Sequence, residues 1–204
     1  MSPHIPINIV FEDDLSEAVI RKILQGRGRY EVGRYFKGRG FGYIKKKIAG
    51  FNEAAKGMPY LVLTDLDKEE CAPALIQDWM KNVPLHQNLL FRVAVREIES
   101  WVLADCDNFA DFLDVGNAVI PDNVDAIDDP KEYLVNLAKK SRKRKLRDDI
   151  VPKKGSTARQ GPNYNPTLRS FVEESWDPDK AMHNSPSLKR AIKAVKNFQP
   201  KWAD

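Results

Sequence analysis

Three strand-like apolar runs in this chain each end in acidic residues, and this repeat constrains the fold more than any other feature. Ile7-Asn8-Ile9-Val10-Phe11 runs into Glu12, with Asp13, Asp14 and Glu17 behind it. Leu61-Val62-Leu63-Thr64 runs into Asp65-Leu66-Asp67, and Phe91-Arg92-Val93-Ala94-Val95 leads across Arg96 to Glu97 and Glu99. Ligands of an open parallel sheet bind beyond the carboxyl ends of its strands. If these three strands are neighbours, the acids converge on one crevice. Carboxylates gathered there repel one another unless a hard divalent cation, held through oxygen ligands, is present. A magnesium or manganese site is therefore expected.

The spaces between the runs carry helical periodicity. The pattern predicts strands over 6–11, 29–36, 60–64 and 88–95, and helices over 16–25, 43–56, 72–81 and from 97 onward, with Ser16 as the first N-cap. The alternation predicts an α/β fold: a mainly parallel sheet of about four strands flanked by helices. After about residue 110 the texture changes. A Pro/Asp-rich connection spans 120–130, a helix is predicted over 131–147, and the breakers Pro152, Gly155, Gly161, Pro162 and Pro166 interrupt regular structure over 148–166. Two further helices are expected over 166–175 and 186–198, the latter with Ser185 as N-cap and Pro186 in its first turn. The division expected is an α/β core over 1–110 and a mostly helical C-terminal cap over 111–204, packed on the core.

Charge is unevenly distributed. Net charge is only +4, yet residues 21–47 hold ten Lys/Arg against Glu31, residues 139–154 hold nine against two acids, and residues 105–132 hold nine acids and Lys131 alone among bases. Separated blocks of this kind suit a polyanionic partner. In the first block Arg27, Arg29, Arg34, Lys37, Arg39 and Lys45 interleave with aromatic rings and glycines, as single-stranded nucleic acid would favour. The competing reading is a strand whose aromatics are core, followed by a solvated basic helix. Arg142 and Arg144 in the second block, with Lys153 and Arg159 in the breaker-rich loop, are candidates to track a phosphate backbone. Trp101 and Trp176 read as core. No run reaches the roughly 20 apolar residues of a membrane span, the N-terminus lacks signal-peptide features, and Cys71 and Cys106 form no Cys-x-x-Cys pair. A cytoplasmic setting without membrane contact is expected. With three histidines in the whole chain, a His/Cys zinc cluster is poorly supported.

Asp-x-Asp alone also serves to cap turns and helices, but the order of the acids resembles the Toprim (topoisomerase–primase) pattern. There a Glu follows the first strand and Asp-x-Asp a later one. The segments Phe11-Glu12-Asp13-Asp14-Leu15-Ser16-Glu17-Ala18-Val19, Leu63-Thr64-Asp65-Leu66-Asp67 and 96–105 (REIESWVLAD) are similar to a small Toprim-like family of bacterial proteins of unknown function, as are Gly161-Pro162-Asn163-Tyr164 and Ser185-Pro186-Ser187-Leu188. The resemblance implies Glu12, Asp65 and Asp67 as catalytic and metal-binding residues. Glu17 is similar to the second acid of Toprim nucleases of the overcoming-lysogenisation-defect type. Its spacing from Glu12 is five rather than four, and Asp13 stands where those proteins usually have glycine. Glu97, nearest the strand end, is taken as a further ligand. Glu99 is left facing solvent or paired with Arg96. The implied function is Mg²⁺- or Mn²⁺-dependent phosphodiester hydrolysis of nucleic acid, with water as nucleophile and a possible ATPase partner in phage defence. Two alternatives stand beside it. One is a non-catalytic subunit docking on an ATPase or RNA; the other is a small-nucleotide phosphohydrolase with Asp65 as nucleophile.

Overall fold

The computed structural model describes residues 4–38, 42–116 and 120–202. Four strands, β1 (Ile5–Phe11), β2 (Tyr30–Lys37), β3 (Tyr60–Asp65) and β4 (Leu89–Ala94), form one parallel sheet in the order β2-β1-β3-β4. The two central strands are apolar on both faces and almost wholly buried, as a sheet covered on both sides requires. Their alternate side chains divide the core. Ile5, Ile7, Ile9, Phe11, Leu61 and Leu63 join one apolar cluster, whereas Val10, Tyr60 and Val62 join another. The second cluster is closed by α2 (Tyr43–Ala54) and α3 (Ala72–Met80) through Ile44, Ile48, Phe51, Leu75 and Trp79.

The opposite face is covered by α1 (Asp14–Gln25) and by everything that follows β4. That following region is helical: α4 (Ile98–Leu103), α5 (Cys106–Leu113), a 3₁₀ turn (Val124–Ala126), α6 (Pro130–Ala138), α7 (Arg144–Ile150), α8 (Tyr164–Glu174), α9 (Pro178–Ala181) and α10 (Pro186–Asn197). One continuous cluster includes Ile9, Val19 and Leu63 from the first half and Leu134, Phe171 and Ile192 from the second. α8 packs on α1, and α10 on β4. Trp101 and Trp176 are each 1% exposed within this cluster, in keeping with their reading as core.

Local chemistry explains the element boundaries. Asp13, not Ser16, caps α1: its carboxylate accepts from the Ser16 N–H at 2.8 Å, and Ser16 itself is buried inside the first turn. α10 starts as its sequence predicts, with Ser185 accepting from Leu188 N–H and Pro186 at the first helical position. The single helix predicted over 131–147 is instead two, α6 and α7. Ser141 turns the chain between them. It is 2% exposed, donates its hydroxyl to the Leu113 carbonyl and accepts from the Lys143 N–H at 3.1 Å. In β2 an extra residue bulges between the Ile7–Val32 and Ile9–Tyr35 pairs, and the buried Asn8 side chain fills the gap by accepting from the Arg34 N–H at 2.8 Å. Among the described residues no helix is long and apolar enough to cross a membrane.

The connections place the site. β1 leads through α1 to β2 on one side, and β3 leads through α3 to β4 on the other, so the direction of winding reverses between β1 and β3. The carboxyl ends of these two strands therefore flank a topological switch point, where an open α/β sheet leaves its ligand crevice.

Candidate active site at the switch point

Glu12 follows β1 directly and Asp65 ends β3, so both carboxylates stand at the mouth of the crevice. Glu12 accepts a short hydrogen bond from the Thr64 hydroxyl. Burial raises the Glu12 carboxyl above its ordinary range; the Thr64 bond and the Asp65 backbone N–H oppose that rise, and the charge of Asp67 adds to it. Asp65 is more perturbed. Its Oδ1 is shielded from solvent and has no hydrogen-bond partner. Burial, then the charges of Glu99, Glu12, Asp13 and Asp67, push its carboxyl well above the usual range. Asp67 sits in the left-handed backbone region at φ 51°, its N–H donating to the Arg96 carbonyl at 2.9 Å. This bond ties the β3 loop to the loop after β4.

Glu97 ends that second loop at the N-cap position of α4 and Glu99 lies in the first turn of the helix, where its surroundings differ from the expectation. Glu97 caps α4 by position and lies at the rim, accepting from the Lys131 backbone N–H at 3.3 Å. Glu99 neither faces solvent nor pairs with Arg96: it is 2% exposed and enclosed by the C-terminal helices. Its Oε1 accepts from the Tyr164 hydroxyl at 3.1 Å and lies 3.3 Å from the Lys131 ammonium, while its Oε2 is buried without a partner. Burial raises the Glu99 carboxyl, and the charge of Lys131 partly offsets this. Arg96 turns instead to the Glu69 carbonyl at 2.8 Å and the Asp67 carbonyl at 3.4 Å.

The crevice thus joins Glu12, Asp13, Asp65, Asp67 and Glu99 electrostatically, with Glu97 beside them. Glu17, one helical turn after Asp13 on α1, lies 3.6 Å from Arg21 and 4.0 Å from Arg169. Among the described residues no three His, Cys, Asp or Glu side chains form a ready metal cage. The donors nonetheless fit a hard divalent cation in kind. They are all carboxylate oxygens, their charge is in surplus, and two of the oxygens, on Asp65 and Glu99, are buried and unpartnered.

Sequence reasoning undervalued Glu99 and did not single out Lys131 or Tyr164 as site residues. The signal for Glu99 was its setting. It is the one acid in a helix otherwise made of Ile98, Ser100, Trp101, Val102 and Leu103, all buried. Lys131 was visible as the only base in a run of nine acids. Burial opposes its charge, but Glu99 and Glu97 together hold it above the ordinary lysine range.

The proposed nucleic-acid ligands are more dispersed. Arg27 grips Asp179 through two bonds of 2.5 and 3.3 Å, and Arg29 donates to the carbonyls of Lys196 and Phe198 at 3.0 and 2.8 Å, so both fasten the C-terminal helices to the β1–β2 region. Lys37 pairs with Asp14 at 2.6 Å and Lys45 with Asp78 at 2.7 Å. Arg142 lies 3.8 Å from Asp114 and Arg144 3.6 Å from Asp148. The side chain of Arg34 on β2, and that of Lys153 in the loop after α7, are exposed. Arg39 lies outside the described residues. Arg159 alone among these candidates lines the cleft shared with Asp67 and Glu97, where it pairs with Asp129. No protein-family model, curated protein or solved structure matches this chain.

Proposed function

We propose that this protein is a divalent-cation-dependent phosphodiester hydrolase acting on nucleic acid, with Glu12, Asp65, Asp67 and Glu99 at its centre. The observation that carries the reading is the pair of buried, unpartnered oxygens on Asp65 and Glu99, in a carboxylate crevice at the switch point of the sheet. Such an arrangement does not stabilise the fold, because a buried carboxylate must either find an opposite charge or take up a proton. Acids perturbed by burial and by one another in a cleft are candidates for a functional site. When bound, a Mg²⁺ or Mn²⁺ ion would offset this charge, acidify water and stabilise the developing charge of the leaving oxygen.

The protein's own residues divide the remaining work. Glu12, raised by burial but held in place by Thr64, is the general base that takes a proton from the attacking water. Asp65 and Asp67, at the end of β3, would hold the cation, which would supply the positive charge that a substrate phosphate needs there. Glu99 is oriented by Tyr164 and Lys131, which fixes where its free oxygen points. The test is cleavage of single- and double-stranded DNA and RNA with Mg²⁺, Mn²⁺ or EDTA. Wild type is expected to cut only with cation, and Glu12→Gln to lower the rate by about 10²–10⁴-fold, the usual contribution of a general base. Cutting in EDTA, or an unaffected Glu12→Gln variant, would sink the reading.

A further inference from the structure

Beside the acid crevice lies a cleft of about 370 Å³, bordered by Asp67 and Glu97 on the crevice side. Its cations arrive from three separate connections: Lys68 after β3, Arg96 after β4 and Arg159 from the loop between α7 and α8. Arg96 is fixed, since its Nη1 bonds the carbonyls of both Asp67 and Glu69. Arg159 is held by the Asp129 carboxylate, whose other oxygen caps α6 by accepting from the Glu132 N–H at 2.8 Å. A guanidinium has five donors in a fixed fork, so one carboxylate does not exhaust it.

The lining holds five acids against these three bases, so an anion is seated by the guanidinium forks and not by the net charge, and volume restricts its size. The cleft stands at the small end of ligand sites, which run from about 300 to 1,000 Å³. It is concave, whereas a duplex presents its phosphates on a convex surface. A ligand seated here meets Asp67 and Glu97 as well as Arg159, all of which line the cleft. The geometry points to a site for one nucleotide unit at the end of a single strand, its phosphate on Arg159 and Arg96 and the adjoining phosphodiester at the acid crevice. The inference rests on the hydrolase reading above and narrows it to terminal, single-stranded substrate. Asp129 is then the internal stand-in for the substrate phosphate, competing for the same guanidinium.

This competition supplies a test with opposite signs. Binding of a nucleoside 5′-monophosphate to the full chain is measured by calorimetry in Ca²⁺, for wild type, Arg159→Gln and Asp129→Asn. Arg159→Gln alters an exposed loop side chain and is expected to weaken binding by about tenfold or more, the loss of one charge-assisted contact. Asp129→Asn keeps the helix cap, because asparagine caps as well as aspartate. It removes the rival anion and is expected to tighten binding several-fold. A linear single-stranded oligonucleotide is expected to bind more tightly than its circularised form. Equal nucleotide affinity in wild type and Arg159→Gln overturns the inference, as does equal binding of linear and circular strands. Loss of nucleotide binding in Arg159→Gln without any cleavage by wild type would instead remove the hydrolase reading and leave the nucleotide site standing. Cation-dependent cleavage indifferent to Arg159→Gln would do the reverse.

Discussion

Asp65 sets the balance between stability and function at the scale of single residues. Its folded carboxyl sits well above the ordinary range, first through burial and then through the charges of Glu99 and Glu12. The folded chain therefore keeps a proton there at pH values where the unfolded chain has released it. Raising the pH removes stability, beginning in the ordinary carboxylate range and ending once the folded carboxyl ionises. Asp65→Asn keeps the shape and deletes the charge. We expect it to melt above wild type at neutral pH, by about 2–4 °C for each kcal/mol of relieved repulsion in a chain of this size. The two proteins should melt together near about pH 3, where both carry a neutral side chain. Thermal melts across pH test this, and a wild type that gains stability between acid and neutral pH relative to Asp65→Asn would refute it. Mn²⁺ at about a hundred times its dissociation constant should return about 2.7 kcal/mol to wild type and much less to the variant. The same substitution that steadies the fold should then empty the proposed centre.

At the scale of elements, two backbone junctions depend on single residues. The first is the bulge in β2, where the Arg34 N–H relies on the Asn8 side chain rather than on a ladder partner. Asn8→Ala leaves that donor without its acceptor and should cost about 1–3 kcal/mol, read by chemical denaturation. The second is the turn from α7 into α8. Gly161 donates to the Ile150 carbonyl at 2.8 Å, and a Cβ added to it would lie 2.3 Å from the Asp149 carbonyl oxygen and 2.7 Å from the Ile150 carbonyl carbon. Backbone stands on both sides of that contact, so no side chain can swing away to relieve it. Gly161→Ala should therefore displace the start of α8, and with it Tyr164, which holds Glu99. Its expected signature is a lowered Tm together with weakened Mn²⁺ binding. Tyr164→Phe, which removes only the hydroxyl, should weaken the cation more than it lowers the Tm. A Gly161→Ala protein with wild-type melting and wild-type Mn²⁺ affinity would show that the close approach is not needed.

Taken as a whole, the molecule shows which parts of its design a linear reading reaches. The sheet was legible because β1, β3 and β4 are short apolar runs with acids at one end, and α1, α2 and α10 because their apolar spacing is helical. The break between α6 and α7 was not, since it depends on a hydroxyl of Ser141 meeting a carbonyl 28 residues earlier. Glu99 escaped for the same reason: Tyr164 and Lys131 reach it from 65 and 32 positions away, across the C-terminal layer. The basic blocks show the limit most clearly. Composition alone makes the nineteen Lys/Arg of two separate segments candidates for nucleic-acid contact. In the fold, Arg27, Arg29, Lys37 and Lys45 hold carboxylates or carbonyls of the chain itself. Binding that used every basic side chain would be steeply salt-dependent, at about −0.7 in log affinity per log salt for each single-strand phosphate neutralised. Binding confined to the crevice, Arg159 and a few exposed cations should engage about three or four phosphates, a slope of about −2 to −3. Fluorescence anisotropy of a short single strand in Ca²⁺ from 50 to 200 mM salt, within the range where such slopes are read, decides between them. A slope steeper than about −6 would mean that the internal ion pairs open to the strand and that the surface, not the cleft, carries the affinity.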